Sequence, residues 1–357
     1  MGAGLHGIMG SRFAGFLSLA GEILACLFAV AAFTTVVLIL AGAPPVDTFT
    51  HIVRGSLGTW SKVSHVTTVW IPLTLASCGL LYTFRVGLWN IGVEGQVMIG
   101  AVMTTLVLRS WNDIVHPGAA TALSLAAGMA GGALWAVAAG FLKTRAGVHE
   151  IFAGLGLNFV AQGIVLWLIF GPWRQPGTAS MSGTETFAER LWMPVIPGTS
   201  LVPSGIGMAV TACLLTAYLL ASTRFGLHLK AVGGNEKAAY LFGVRPRGVM
   251  VAAMVCAGGL AGLAGAFQVG GVYHRLIPAI SSGYGYLALL VVMLANFNVW
   301  AAPVVAFFFA CLNVGGIQLP MELQLDSSLS GVIQGTLVLA ALVVHAIRTK
   351  TRGGGAT

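Results

Sequence analysis

Apolar runs of about twenty residues recur along the chain, separated by short polar turns. Twenty apolar residues wound as a helix cover the hydrocarbon core of a bilayer, so each run predicts a spanning helix. The runs lie at about residues 22–41, 66–84, on to 108, 118–142, 151–170, 204–222, 248–269, 286–297, 300–319 and 329–347. This predicts an all-α polytopic membrane protein with about ten transmembrane helices. The eighth run is too short to cross if straight. Residues 46–64 are amphipathic, with Asp47, His51, Arg54 and Lys62, and are expected on the outer surface.

Two polar stretches are longer than turns. Residues 171–203, rich in Pro, Gly, Ser and Thr, predict an ordered external loop with one short helix at 184–192. Residues 224–247 carry five basic side chains and predict a second polar segment at the other membrane face. There Gly233 and Gly234 break the chain. Asn235 is placed to cap a short helix over 236–242, opening on Glu236, carrying Ala238 and Ala239, and stopped by Gly243 and Pro246. A short capped helix bearing alanines fits a docking element, and an ordinary basic loop is the competing reading.

The apolar pattern is most disturbed at residues 84–101, FRVGLWNIGVEGQVMIGA. Polar and ionisable groups inside a membrane are costly, yet Arg85, Asn90, Glu94 and Gln96 sit here among four glycines. Glycine loosens a helix, so 87–95 predicts a broken helix. Asn90 is placed to cap the helix that follows, with Glu94 in its first turn complementing the helix dipole. Asn90, Glu94 and Gln96 are also the candidates to line a path for a polar solute, with the amides Asn158 and Asn296 as weaker additions.

Composition agrees with the pattern. Charged residues make up 8% of the chain, far below the quarter or so of soluble domains. The formal net charge of +8 therefore points to loops that set orientation and not to nucleic acid. Ten spans put both termini on one side, together with Arg12, Arg85, Lys143, Arg145, the five basic residues of 224–247 and the tail's Arg348, Lys350 and Arg352. That side holds 12 of the 18 Lys and Arg residues, against 6 on the other. The positive-inside rule makes it cytoplasmic. The five cysteines are scattered through apolar runs and read as packing residues, with no metal site implied. Gly128 and Gly132, and Gly258 and Gly262, recur at four-residue spacing, which suits close helix approach. These two glycine-rich spans also suggest two loosely related halves.

The segment GLWNIGVEGQVMIGA at 87–101 resembles the signature of ABC-transporter permeases of the nucleoside and simple-sugar uptake type, within the branched-chain amino acid and ribose permease superfamily. In order along the chain, AGAPPVD at 41–47, GVHEI at 147–151 through Leu157 and Asn158, and AVGGNEKAA at 231–239 resemble further segments of that family. His149 departs from the family's small or amide residue, and Trp89 from its usual phenylalanine. The resemblance implies a single permease domain over 1–357 in the cytoplasmic membrane. It makes 224–247 the cytoplasmic segment that couples to an ATPase. It also implies two ABC ATPase domains, a homologous second permease or a second copy, and an external binding protein as partners. The chain has no GxxxxGK[ST] loop, so no catalytic residue or bound cofactor is expected on it, and ATP is expected on the partner. Two competing readings are a stand-alone secondary transporter with Glu94 as a proton site, and an intramembrane lipid-modifying enzyme. The second lacks any nucleophile and base pair.

Overall fold

The computed structural model describes residues 44–111, 116–175, 177 and 183–323, with isolated positions between 28 and 39 and at 335 and 339. The expected first and tenth spans and the basic tail lie outside the described residues or are touched only at those isolated positions. The protein is an all-α polytopic membrane protein. Its helices are α1 (Pro45–Leu57), α2 (Trp60–Arg85), α3 (Val93–Ser110), α4 (Pro117–Thr144), α5 (Glu150–Phe170), α6 (Pro203–Ser222), α7 (Arg224–Gly234), α8 (Glu236–Leu241), α9 (Pro246–Phe267), α10 (Tyr284–Leu294) and α11 (Ala302–Leu323). Among the described residues, α2, α4, α5, α6 and α9 with its continuation to Tyr273 are long and apolar enough to cross a membrane, and α10 is a shorter apolar helix.

Helix starts follow local chemistry. Thr59 accepts from the Lys62 amide at 3.3 Å and opens α2. His116 and His149 do the same for α4 and α5. Proline occupies the first position of α4, α6 and α9, where its missing N–H costs nothing.

Residues 59–311 pack as one unit. Within it α2 is central: 78% of its apolar window is buried, against 28% for α6. Around it α9 packs along α2, α3 and α4, and α6 and α10 also lie against α2. The α3–α4–α9 contact runs through glycine. A side chain on Gly132 would collide with the Gly258 carbonyl oxygen, and one on Gly100 with the backbone of Gly262. The four glycines at four-residue spacing thus bring α4 and α9 together backbone to backbone. Cys78 of α2 and Cys213 of α6, far apart in sequence, meet with sulfurs 3.4 Å apart. The second unit comprises residues up to 58 and from 312. In it Gly315 of α11 lies against the backbone of Ile52 in α1.

Three expectations change in detail. The helix expected at 184–192 shrinks to a single 3-10 turn, Glu189–Leu191. The amides of Thr184, Phe187 and Met193 instead donate to the carbonyls of Leu276, His274 and Gly270, so that the backbone is held by a neighbour and not by itself. Trp192 stacks on His274 with ring centroids 3.9 Å apart, and burial holds the His274 imidazole below its usual pKa. The helix expected to end at 269 continues to Tyr273 as a π-helical turn, Gln268–Tyr273. And the amphipathic stretch 46–64 is divided: α1 ends at Leu57, and the last residues of the stretch already belong to α2, which starts at Trp60.

Candidate functional site

Between α2 and α3 the chain leaves helix geometry from Val86 to Gly92. Gly87 takes φ +81° there, a conformation glycine adopts without steric cost. The break lies on α5 with almost no side chain between: a Cβ on Gly154 would come 2.6 Å from the Gly92 nitrogen. Any larger residue at either position would push α5 off the break.

The polar side chains around the break are buried and bonded to one another. Asn90 and Gln96 form a reciprocal amide pair, each donating to the other at 3.0 Å. Asn158 of α5 accepts from the Gly95 amide at 2.8 Å. It donates to the Ile91 carbonyl at 2.9 Å and to the Tyr286 hydroxyl at 3.1 Å. Glu94 accepts from the Gly285 amide at 2.8 Å, and Ser281, Gly283 and Tyr286 also surround its carboxyl. Glu94 therefore lies in the first turn of α3 and at the first turn of α10 at once. Two helix N-termini facing one carboxylate offset much of the cost of burying it. A side chain on Gly285 would run into that carboxylate.

Four of the five path candidates, Asn90, Glu94, Gln96 and Asn158, thus form one knot tying α3, α5 and α10 together. Their amide groups are engaged with the protein in this conformation. The cap of α3 is Gly92, and Asn90 spends its amide on Gln96. Asn296 stands apart, exposed just past the end of α10 at φ +52°, about 15 Å of helix from Gly285. Two members of the knot escaped sequence reasoning. Tyr286 binds Asn158. Trp135 of α4 brings its indole nitrogen to the same place, close to where a Cβ on Gly95 would stand, and that buried N–H has no protein partner. His149 caps α5, and Glu150 pairs with Lys143 at 2.7 Å, so neither takes part in the knot.

The knot predicts how Glu94 variants behave. Glu94→Gln keeps an oxygen for the Gly285 amide and is expected to cost about 1 kcal/mol or less. Glu94→Ala leaves that amide without an acceptor and is expected to cost roughly 1–3 kcal/mol. Thermal unfolding of the two variants separates them; equal losses would detach Glu94 from the start of α10.

The second candidate region lies at the same end of α2, beside the break: a Cβ on Gly87 would stand 3.9 Å from Gly233. Gly233 packs directly on the Arg85 carbonyl, leaving no room for a side chain. This seats the end of α7 on the end of α2. Thr223 caps α7 by accepting from Gly226 at 3.2 Å, and Asn235 caps α8 by accepting from Ala238 at 3.0 Å. Glu236 occupies the exposed first turn of α8. Ala239 is buried in an apolar cluster with Leu229 and Val232 of α7 and Tyr82 of α2, whereas Ala238 is only half-buried. Gly243 at φ +84° ends α8, with its amide bonded back to Tyr240. What projects is an apolar tip: Leu241 and Phe242 are 84% and 88% exposed. Lys237, Arg245 and Arg247 rim it, around a concavity of about 990 Å³.

Residues 63–342 match the family model of the branched-chain amino acid transport system / permease component. The chain belongs to this permease family. Among curated relatives, the permease is 29% identical to the glucose ABC transporter permease protein TsgB13 of Haloferax volcanii, over 85% of this chain and 82% of that one. It is 25% identical to the guanosine ABC transporter permease protein NupP of Bacillus subtilis, over 87% and 90%. It is 24% identical to the nucleoside ABC transporter permease protein NupB of Lactococcus lactis, over 78% and 79%.

Proposed function

We propose that this permease is the transmembrane subunit of an ATP-driven importer that moves nucleosides or related small polar solutes by alternating access. The observation that carries the ATP-driven reading is the α7–α8 platform. It is capped at both helix starts and seated on the central helix, and it presents two nearly fully exposed apolar side chains beside basic ones. A secondary transporter has no use for such a tip, whereas a partner ATPase supplies its cover. Two ATPase domains, a second permease or second copy, and an external binding protein complete the assembly. In this reading 224–247 and both termini are cytoplasmic, 171–203 is external, and ATP binds to the partner. The solute class is supported by relatives named for guanosine, nucleosides and glucose. It is also supported by the knot, whose amides offer donors and acceptors without a strong net charge.

Transport then consists of moving α2 through its seat on α7 and exchanging the bonds of the knot. Asn90, Gln96 and Asn158 can give up protein partners for solute groups of the same chemistry. ATP shifts the equilibrium only as far as the partner binds one state better than the other. The test is uptake of labelled guanosine, glucose and a charged amino acid by the complex reconstituted in vesicles. Guanosine uptake that requires ATP and the ATPase is expected. Uptake by the permease alone on a proton gradient would support the secondary-transporter reading. Uptake of the amino acid but of neither other solute would overturn the solute class.

A further inference from the structure

At the end of the bundle that carries α7 and α8, a cavity of about 320 Å³ opens between the last turns of α2 and α6 and the turn from α10 to α11. Its lining is polar and apolar in about equal parts, with Leu81, Ala217, Leu220 and Phe297 on the apolar side and Arg85 and Asn298 bringing polar side chains. The exposed Arg85 has no acidic partner among the described ion pairs, which join Lys143 and His149 to Glu150. The turn that closes the cavity is held in an unfavourable shape. Asn296 and Phe297 both take left-handed φ, 52° and 57°, which a bulky L-residue adopts only under constraint. That shape sets Phe297 on Phe84, with ring centroids 5.1 Å apart. Trp89 also packs on Phe84, at 5.3 Å, and Trp300 is 63% exposed. Exposed tryptophans mark the headgroup level of a spanning protein.

We propose that this cavity binds an anionic phospholipid, with the phosphate on Arg85 and Asn298 and an acyl chain along Leu81, Ala217 and Leu220. An unpaired cation beside an apolar side wall, at headgroup depth, matches both halves of such a molecule. A free phosphate would leave the apolar side of the cavity uncovered, and a zwitterionic lipid would bring its own ammonium group beside Arg85. The site lies beside the seat of α7 on α2, so a bound lipid braces the joint through which the ATPase would act. The proposal is independent of which solute is carried.

The test uses the full complex in nanodiscs of phosphatidylcholine doped with phosphatidylglycerol of the same chains, with co-purifying lipid counted by native mass spectrometry. Wild type is expected to retain phosphatidylglycerol about fivefold over phosphatidylcholine, the effect of one basic residue near a membrane surface. Arg85→Gln should abolish the preference, Arg85→Lys should keep most of it, and Arg145→Gln, at an exposed cation outside the cavity lining, should leave it intact. Ala217→Phe, which fills the cavity, should lower retention with Arg85 in place; it serves where Arg85→Gln fails to fold. Glycerol phosphate should not displace the lipid. Equal retention of the two lipids, an equal loss in Arg145→Gln, unchanged retention in Ala217→Phe, or displacement by glycerol phosphate would each overturn the proposal.

Discussion

Replacing Leu241 and Phe242 together by aspartate is expected to leave the permease folded and to abolish ATP-dependent uptake. Both side chains are more than four-fifths exposed, so the folded chain loses almost no burial. An apolar anchor at the centre of an interface contributes about 2 kcal/mol or more, roughly thirtyfold in affinity, and a carboxylate there adds the cost of burying a charge. Co-purification of the ATPase should fall by at least that factor, while the variant still elutes as wild type does. Ala239→Glu makes the contrast. That side chain would enter the cluster of Leu229, Val232 and Tyr82 and is expected to lower the yield of folded protein. Normal uptake in the double aspartate variant would remove α8 from the coupling path.

Gly132→Val is expected to be the most disruptive single change within the helical bundle. Its Cβ would meet backbone at Gly258 and Gly262, which no rotamer change relieves. Overpacking of this kind costs roughly 3 kcal/mol, and here α4 and α9 would have to part along their length. Gly207→Val on α6, where a side chain meets open space, should be close to neutral. Melting of the two variants in detergent decides the point: similar midpoints would mean that α4 and α9 do not pack through glycine.

Much of this was legible in the chain. Apolar run length finds the spanning helices because a bilayer imposes it, and Gly128, Gly132, Gly258 and Gly262 announce close approach because only glycine permits it. The break at 86–92 showed itself through four glycines and misplaced polar groups. Long-range partners did not show. Asn90 looks like a helix cap, yet its amide pairs with Gln96, a match that depends on the turn taken by Gly87. Helix α7 was hidden because its sequence, RFGLHLKAVGG, is basic and glycine-rich; burial of Leu229 and Val232 and the Thr223 cap hold it. Gly270 and Gly271 suggest a helix end, but their lack of side chains lets Met193 and Phe267 close in and the helix runs on. Cys78 and Cys213 stand 135 residues apart, beyond the reach of any local pattern.

The paired amides of Asn90 and Gln96 bear on leakage. Two parallel bonds between two short side chains cannot be lost one at a time without turning the survivor out of line. A small separation strands four polar groups in an apolar setting, each at a cost of about 1–3 kcal/mol. Partial opening is therefore the worst state available, and the pair behaves as a latch with two positions. In the transport reading proposed above, such a latch would keep a resting carrier tight to ions and protons between cycles, opening when something else with donors and acceptors takes the vacated places.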